Sequence, residues 1–215
     1  MQTNANDSTS AESFWENHYR TRPAGEARAN PLLAETAAGL RPGAALDLGC
    51  GAGGDTIWLA RHGWQVTAVD ISRTAVERVL AQAHRLGLRE RVTAEQHDLA
   101  DGFPAGEFDL ISAQYLHTLF ALDRTLVLRA AAVALRPGGV LLIVDHGSTA
   151  PWSWNQDPDA TFPTPDVVAA GLDLDATRWA VVRADMPSRL AHGPGGRSAT
   201  VTDNVLVVQR REGRN

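Results

Sequence analysis

A glycine-rich loop and the aspartate that follows it carry the clearest chemical signal in the sequence. The segment Leu46–Gly54 (LDLGCGAGG) leads from an apolar stretch into a cluster of glycines. Asp70 is the last residue of the apolar stretch that follows this loop. Glycines in a turn after a strand let a ligand approach backbone N–H groups, and an acidic residue about 20 positions later can bind the two hydroxyls of a ribose. The spacing therefore predicts a site for a cofactor that carries an adenosine.

Two classes of such a cofactor fit the loop. Gly49, Gly51 and Gly54 match the pattern G-x-G-x-x-G, which also occurs in NAD-dependent oxidoreductases. Asp47 stands at the mouth of the loop, where its charge would repel the pyrophosphate of a dinucleotide and attract the ammonium group of a cofactor that ends in an amino acid. The charge favours the second class, although a tight turn with an aspartate facing the core would give the same pattern.

The segments around the loop alternate between strand and helix. We predict strands over 44–48, 64–70, 91–97, 108–113 and 140–144, and helices over 56–62, 76–86 and 122–135 between them. Such alternation is typical of a doubly wound, mostly parallel sheet that binds ligands at the carboxyl ends of its strands. Two final strands, 178–186 and 199–210, flank a turn-rich stretch at 192–196 without a helix between them, which predicts an antiparallel hairpin.

The organisation of the whole chain is predicted from its capping and turn residues. Ser13 begins a capping-box pattern and a short aromatic helix to Tyr19, and Asn30-Pro31 begins a second helix that stops near Gly39. Residues 1–12 are polar and lack an apolar segment, so we expect a disordered tail rather than a secretory signal. Residues 13–215 are expected to form one domain, which is divided into N-terminal helices (13–40), a cofactor-binding core (44–147) and an acceptor-side region (148–215).

Composition and charge limit the classes of partner. The chain has 215 residues, enough for one compact domain, and its formal net charge of -5 gives no electrostatic attraction to nucleic acid or to an anionic membrane. Its longest apolar runs are too short to span a bilayer. The single cysteine, Cys50, cannot form an internal disulfide, and the scattered histidines offer no metal-ligand cluster. We therefore expect a cytoplasmic protein that binds neither metal, membrane nor nucleic acid.

Further motifs accompany the loop at the expected strand ends. They are His97-Asp98-Leu99, Phe108–Gln114 (FDLISAQ) and Leu135–Gly139 (LRPGG). From about Ala44 to the C-terminus, this set resembles the class I S-adenosylmethionine-dependent methyltransferases. Within that family the chain is similar to the small-molecule branch that holds the tellurite-resistance and thiopurine methyltransferases. The resemblance implies S-adenosyl-L-methionine as the cofactor and a Rossmann-like, doubly wound sheet of seven strands, mostly parallel, with an antiparallel C-terminal hairpin.

The resemblance assigns the glycine loop to the amino-acid end of this cofactor. Gly49, Cys50 and Gly51 would line the methionine part, and Asp47 would lie near its amino group. Each position also has a purely structural alternative, because glycines and a capping aspartate are common in tight turns.

The adenosine end and the sulfonium are assigned to the ends of the next three strands. Asp70 would bind the ribose hydroxyls, and Ile71 would pack on the adenine. Asp98 would accept a hydrogen bond from the adenine amino group, and Leu99 would supply a backbone contact. Gln114 would close the floor under the sulfonium. The alternatives are that Asp98 caps a turn and that Gln114 satisfies a strand end.

Two histidines are candidates for a catalytic base. His117 follows the fourth strand and His146 follows the fifth, so both are expected at the acceptor end of the crevice. A hydroxyl or ammonium acceptor must lose a proton, which a histidine can take, whereas a thiolate needs no base. The alternative for either histidine is a hydrogen-bonded loop residue. His192, in the turn of the hairpin, is a weaker candidate.

Aromatic residues predict the nature of the acceptor. The helix with Trp15 and Tyr19 is expected to cover the cofactor, with packing on the edge of the sheet as the alternative. Trp152, Trp154 and Phe162 lie in a long proline-rich loop that leaves the acceptor edge of the sheet, and we expect them to form one wall of the acceptor pocket. The alternative is that this loop only packs its tryptophans on the edge of the domain. We therefore expect methyl transfer to an N, O or S atom of a small aromatic or heterocyclic molecule. The alternatives are an NAD-dependent oxidoreductase and a non-catalytic protein that binds S-adenosylmethionine.

Overall fold

The computed structural model describes residues 10–22, 28–118, 120–153, 156 and 161–213. Its helices are α1 (Ala11–Thr21), α2 (Pro31–Ala38), α3 (Gly54–Arg61), α4 (Arg73–Arg85), α5 (Arg124–Val133) and α6 (Pro165–Leu172). Its strands are β1 (Ala44–Leu48), β2 (Gln65–Asp70), β3 (Val92–Gln96), β4 (Phe108–Gln114), β5 (Leu135–His146), β6 (Trp179–Asp185), β7 (Ser188–His192) and β8 (Ser198–Arg210). Residues 1–9 of the predicted tail and Trp154 of the proline-rich loop lie outside the described residues.

The strands form one mixed sheet in the order β3-β2-β1-β4-β5-β8-β6. The neighbours from β3 to β5 are parallel, whereas β8 runs antiparallel to both β5 and β6. This arrangement confirms the predicted doubly wound sheet with an antiparallel C-terminal end. It places the ends of β1, β2, β4 and β5 side by side, and the predicted site residues follow these ends.

The sheet has one strand more than the seven predicted. β7 pairs with β8 beside the main strand order, and the predicted hairpin therefore contains three strands. Only Ala191 of β7 is buried, and Leu190 is 61% exposed, so the segment lacks the apolar alternation that predicts a strand. β8 is long, with 13 residues, and its first part offers backbone groups to β7. Pairing with a distant segment, rather than a local pattern, forms this strand.

The two faces of the sheet are covered by different helices. Alternate residues of the central strand β5 face opposite sides: Leu142 packs in a cluster with residues of α2, α3 and α4, and Leu141 packs in a cluster with residues of α5 and α6. Residues 140–144 are buried throughout, as a central strand of a doubly wound sheet requires. The core thus holds the carboxyl ends of the central strands in a rigid frame.

Two helix boundaries differ from the predictions because other residues cap them. α1 begins at Ala11 rather than at Ser13, since the Ser10 hydroxyl accepts a hydrogen bond from the backbone N–H of Ser13 at 3.1 Å. Residues 11 and 12 therefore belong to the helix and not to the predicted tail. α5 begins at Arg124 rather than at 122, because Asp123 accepts from the backbone N–H of Leu126 at 3.0 Å.

Candidate functional site

The glycine loop folds against the end of β2. The backbone N–H groups of Gly49 and Cys50 both donate to the carbonyl oxygen of Val69 at 2.9 Å, and that of Gly51 donates to Asp70 Oδ2 at 2.9 Å. Gly49 and Gly51 have φ angles of 70° and 50°, in the left-handed region that favours glycine. The loop therefore holds the Asp70 carboxylate at the carboxyl ends of β1 and β2.

A cavity at this edge of the sheet joins most of the predicted site residues. Those in its lining are Gly49, Asp70, Ile71, Asp98, Leu99, Gln114 and His117. Trp15 and Tyr19 of α1 line the same cavity, so the aromatic helix covers it as predicted. Leu116, Phe120 and Leu122 make much of the remaining wall apolar. The cavity thus has a polar part at the ends of β2 and β3 and an apolar part after β4.

Three predicted residues of the glycine loop lie behind the cavity wall rather than in it. Asp47 is buried and accepts a hydrogen bond from the Thr56 hydroxyl at 2.6 Å. Cys50 packs in the core, and burial raises the pKa of its thiol. A side chain at Gly51 would collide with the Tyr19 hydroxyl, which therefore covers this glycine. The assignment of these residues to the methionine part of a cofactor stays a prediction.

The carboxyl groups around the loop are buried without a cationic partner. Burial raises the pKa of Asp47 to about 7, with the nearby Asp55 reinforcing this effect and the Thr56 hydroxyl opposing it. Burial likewise raises the pKa of Asp55 to about 6 and raises that of Asp70, although backbone N–H groups donate to both. Among the described residues, none of these three carboxylates forms an ion pair. This acidic region suits a cationic ligand.

His117 lies in the cavity wall beside a buried ion pair. Its Nε2 is 3.3 Å from Asp145 Oδ1, and one Nη of Arg124 donates to both oxygens of that carboxylate at 2.6 Å. Burial lowers the pKa of His117, Asp145 opposes this effect, and Arg124 and His146 add to it. Since its pKa lies below the ordinary value, the imidazole is mostly neutral at pH 7. In the tautomer with the proton on Nε2, that proton would face Asp145 and Nδ1 would be the proton acceptor.

His146 lies next to His117 but outside the lining of the cavity. The two imidazole rings are stacked with their centroids 5.7 Å apart. On its other sides His146 stacks on Tyr115 at 4.5 Å and meets the edge of Phe162 at 6.3 Å. The structure thus brings the two candidate bases together, and only His117 faces the space where a ligand would bind. The catalytic assignments themselves stay predictions.

Gln114 is held by Asn30, a residue for which the sequence predicted only a role as a helix cap. The Asn30 side-chain amide donates to Gln114 Oε1 at 2.7 Å, and Gln114 Nε2 donates to Ser112 Oγ at 3.0 Å. Asn30 also caps α2 by accepting from the backbone N–H of Leu32. These contacts fix the direction of the Gln114 amide in the cavity wall.

Two other contributors to the site, Tyr115 and Arg124, were not predicted from the sequence. Tyr115 lines the cavity with a left-handed φ of 49°, which is unusual for a residue other than glycine. Arg124 belongs to the first turn of α5, where an arginine is ordinary, and only the tertiary structure brings it to Asp145. The position of Tyr115 directly after β4 was the single hint.

Of the aromatic residues predicted to form a wall of the acceptor pocket, Trp152 and Phe162 are described, and neither lines the cavity. Trp152 packs directly against Gly193 in the turn after β7, and the guanidinium of Arg197 lies 5.8 Å from the centre of its ring. Phe162 packs against His146 instead of lining the cavity. His192 is likewise remote from the cavity lining and contacts Ser198 Oγ at 2.9 Å. The apolar wall is supplied by residues that follow β4.

Comparison with known proteins places this geometry in context. Residues 45–139 match the family model described as a methyltransferase domain. The chain is 32% identical over 172 residues to the 27-O-demethylrifamycin SV methyltransferase of Amycolatopsis mediterranei, a match that covers 77% of this chain and 55% of that relative. The chain thus spans about half the length of that curated relative, and only 36% of another.

Solved structures share the whole architecture. A structure from work on the conversion of a disulfide bond into a thioacetal group during echinomycin biosynthesis superimposes with a TM-score of 0.68 and 27% identity, over 95% of this chain and 94% of that one. TehB from Haemophilus influenzae superimposes with a TM-score of 0.66 and 16% identity, over 94% of this chain and 67% of that one. At this identity, TehB shows a common fold alone.

Proposed function

Because this chain belongs to the class I S-adenosylmethionine-dependent methyltransferases, we propose that it transfers a methyl group from S-adenosylmethionine to a small molecule. One observation carries the proposal. A single cavity is lined both by Asp70 at the end of the strand after the glycine loop and by His117 after β4. A cofactor held at Asp70 and a proton acceptor at His117 would therefore share one cavity, which is what transfer to an acceptor requires.

The residues present fit this cofactor. Asp70, Ile71, Asp98 and Leu99 would hold its adenosine, since a carboxylate and an apolar side chain adjoin in the polar part of the cavity. The uncompensated negative charge around Asp47 would attract the ammonium group at the amino-acid end of S-adenosylmethionine. The same charge would repel the pyrophosphate of NAD. When bound, S-adenosylmethionine supplies an electrophilic methyl group on a sulfonium.

His117 would act as the general base for a hydroxyl or amine acceptor. Its neutral imidazole faces the cavity, and the Asp145 carboxylate beside Nε2 would stabilise the imidazolium that forms when Nδ1 takes a proton. Arg124 donates to both oxygens of Asp145 and thereby fixes the position of this carboxylate. A thiol acceptor that ionises by itself would not need this proton transfer.

The acceptor that fits the cavity best is a flat aromatic or heterocyclic molecule. Trp15, Leu116, Phe120 and Leu122 supply an apolar wall next to His117, and His117 can orient a ring hydroxyl or amine. Trp15 belongs to α1, so the covering helix would contribute directly to acceptor binding. Trp152 of the proline-rich loop is not part of this wall.

We retain the expectation of a cytoplasmic enzyme that does not act on nucleic acid. The formal net charge of -5 and the single buried cysteine, Cys50, support it. Within the part of the chain that the structure describes, no helix combines the length and the hydropathy that crossing a bilayer requires.

Calorimetric titration with S-adenosylhomocysteine, S-adenosylmethionine and NAD tests the cofactor. We expect both adenosyl compounds to bind and NAD to give no signal. Tight binding of NAD without a response to S-adenosylhomocysteine would overturn the proposal in favour of an oxidoreductase.

Turnover tests the transfer itself. The purified chain is incubated with S-adenosylmethionine and, in separate reactions, catechol, 8-hydroxyquinoline and thiophenol as acceptor probes, and the release of S-adenosylhomocysteine is measured. We expect release that depends on a ring acceptor. Binding of the cofactor without turnover on a broad panel of such rings would favour the non-catalytic alternative.

A further inference from the structure

Three polar side chains form a cluster behind the cavity, between β7, β8 and the end of β4. The Tyr115 hydroxyl donates to Asp203 Oδ1 at 2.9 Å. Arg189 Nε donates to Asp203 Oδ2 at 2.5 Å, and one Nη of Arg189 contacts both Asp203 Oδ1 and the Tyr115 hydroxyl at 3.2 Å. Asp203 is only 1% exposed. The cluster is therefore a closed set of hydrogen bonds around a buried carboxylate.

Tyr115 connects this cluster to both histidines of the site. Its ring stacks on His146 with a centroid distance of 4.5 Å and an angle of 26°. Its carbonyl oxygen accepts a hydrogen bond from the backbone N–H of His117 at 2.7 Å. One residue thus contacts His146 through its side chain and His117 through its backbone.

The backbone of Tyr115 needs such an anchor. Its φ of 49° lies in the left-handed region, which is unfavourable for a residue with a side chain and persists only where the surroundings hold it. The backbone N–H is held by the carbonyl oxygen of Val144 at 2.7 Å, and the hydroxyl is held by Asp203 and Arg189. Loss of the second anchor would let the turn relax and move His117 away from Asp145.

We propose that Arg189 and Asp203 are positioning residues of the transfer reaction, which hold the Tyr115 turn and thereby aim His117 into the cavity with His146 stacked beside it. Neither residue lines the cavity, so both act through Tyr115. The inference rests on the proposed function of His117. It also gives a role to β7, the additional strand, which carries Arg189 to the site.

Two variants separate the parts of the cluster. Tyr115→Phe removes only the hydroxyl and keeps the ring that stacks on His146. Arg189→Gln removes the charge and keeps a polar side chain of similar length. The matched control is Arg183→Gln, because Arg183 on β6 also donates to an aspartate, Asp185, at 2.8 Å.

The main measurement is NMR of the histidine-labelled protein, which gives the chemical shifts and the pKa values of His117 and His146. The charged and titratable groups around His146 are Asp145 on its own strand, Asp203 on β8, Arg189 on β7 and the adjacent His117. Burial lowers the pKa of His146, Arg189 adds to this effect, and the two aspartates oppose it. Arg189→Gln should therefore raise the pKa of His146.

We expect both variants to shift the resonances of His117 as well as those of His146 and to lower kcat with catechol by about tenfold. The affinity for S-adenosylhomocysteine, measured by calorimetry, should not change. A lower melting temperature with unchanged His117 resonances and unchanged kcat would overturn the inference, since the cluster would then only stabilise the fold. Failure of the wild-type protein to bind S-adenosylhomocysteine would instead overturn the proposed function, and the histidine resonances would still decide the positioning role.

Discussion

Buried carboxylates occur in two regions around the cavity, and only one region supplies them with cations. Around the glycine loop, Asp47 is buried and Asp55 is partly buried, and neither forms an ion pair with a described residue. Burial raises their pKa values to about 7 and about 6. At the ends of β5 and β8, Asp145 is paired with Arg124 and Asp203 with Arg189. Both regions have similar burial, so the difference lies in the charge around them.

This difference separates two electrostatic roles. A buried carboxylate that is paired with an arginine can orient a neighbouring side chain, as Asp145 can orient His117. A buried carboxylate without a cation destabilises the unliganded protein and gains free energy when a cationic ligand arrives. The loop region is therefore suited to binding the cofactor, and the paired region is suited to holding the residues that act on the acceptor.

The largest effect is expected from removal of His117 in the paired region. His117→Ala should lower kcat with a hydroxyl or amine acceptor by about 10² to 10⁴, because the variant lacks the proposed base beside the apolar wall of the cavity. The affinity for S-adenosylhomocysteine should stay unchanged. Steady-state kinetics and calorimetry measure the two quantities.

The exposed His84 on α4 provides the control, and His84→Ala should leave both quantities unchanged. His146→Ala should have a smaller effect than His117→Ala, since His146 does not line the cavity. Wild-type kcat for the His117 variant on every hydroxyl and amine acceptor would remove the proposed base.

Removal of Asp145 tests whether the paired region stabilises the fold. Asp145→Ala leaves Arg124 without its partner and should lower the free energy of unfolding by about 3 to 5 kcal/mol, the usual effect of breaking a buried ion pair. Urea denaturation measures this change. Asp185→Ala, which breaks the exposed pair with Arg183, should cost less than about 1 kcal/mol. Equal effects of the two substitutions would show that burial does not distinguish the pairs.

A smaller effect is expected from Asp70 in the loop region. Asp70→Ala should weaken S-adenosylhomocysteine binding by about 1.5 to 3 kcal/mol, the contribution of hydrogen bonds to a charged group. Asp101→Ala is the control, because Asp101 is an exposed aspartate in the loop after β3 and does not line the cavity. Unchanged affinity of the Asp70 variant would place the cofactor elsewhere.

The smallest effect concerns the charge of Asp47 and depends on pH. Asp47→Asn keeps an oxygen that can accept the hydrogen bond from the Thr56 hydroxyl, and it removes the uncompensated charge. The unliganded variant should therefore be more stable than wild type at pH 8 by about 1 kcal/mol. The pKa of about 7 in the folded state lies above the ordinary value, so the folded wild type binds the extra proton first as pH falls. The stability advantage of the variant should therefore shrink between pH 8 and pH 5.

Scanning calorimetry of the two proteins without ligand measures this dependence, and titration at pH 8 measures cofactor affinity. The variant should bind S-adenosylmethionine more weakly than wild type, because the cationic ligand loses a favourable charge. A difference in melting temperature that is the same at both pH values would contradict the assignment of an uncompensated charge to Asp47.

Much of the fold could be predicted because its signals are local. The left-handed turns at Gly49 and Gly51 need glycine, and residues 140–144 form a buried apolar run that suits a central strand. Asn30-Pro31 marked a helix start that the structure confirms. The placement of Asp70, Asp98 and Gln114 at strand ends followed from the same alternation, because parallel strands bring their carboxyl ends to one edge.

The rest of the site depends on contacts between distant segments. β7 lacks an apolar pattern and forms by pairing with β8, and Tyr115 adopts its left-handed conformation in a segment with no glycine. The predicted tryptophan wall was wrong for Trp152 because that side chain found a packing surface on the turn after β7. No local rule could select between these packing surfaces.

The amino-acid sequence by itself determined the strand and helix alternation, the glycine loop and the acidic residues at the strand ends. The tertiary structure decided which of the buried carboxylates receives a cation, since Arg124 lies 21 positions from Asp145 and Arg189 lies 14 positions from Asp203. The helices, the central strands and the glycine loop follow largely from residues that are close in the chain, whereas the pairing of β7 and the charge around a buried group follow from residues that folding brings together from distant segments.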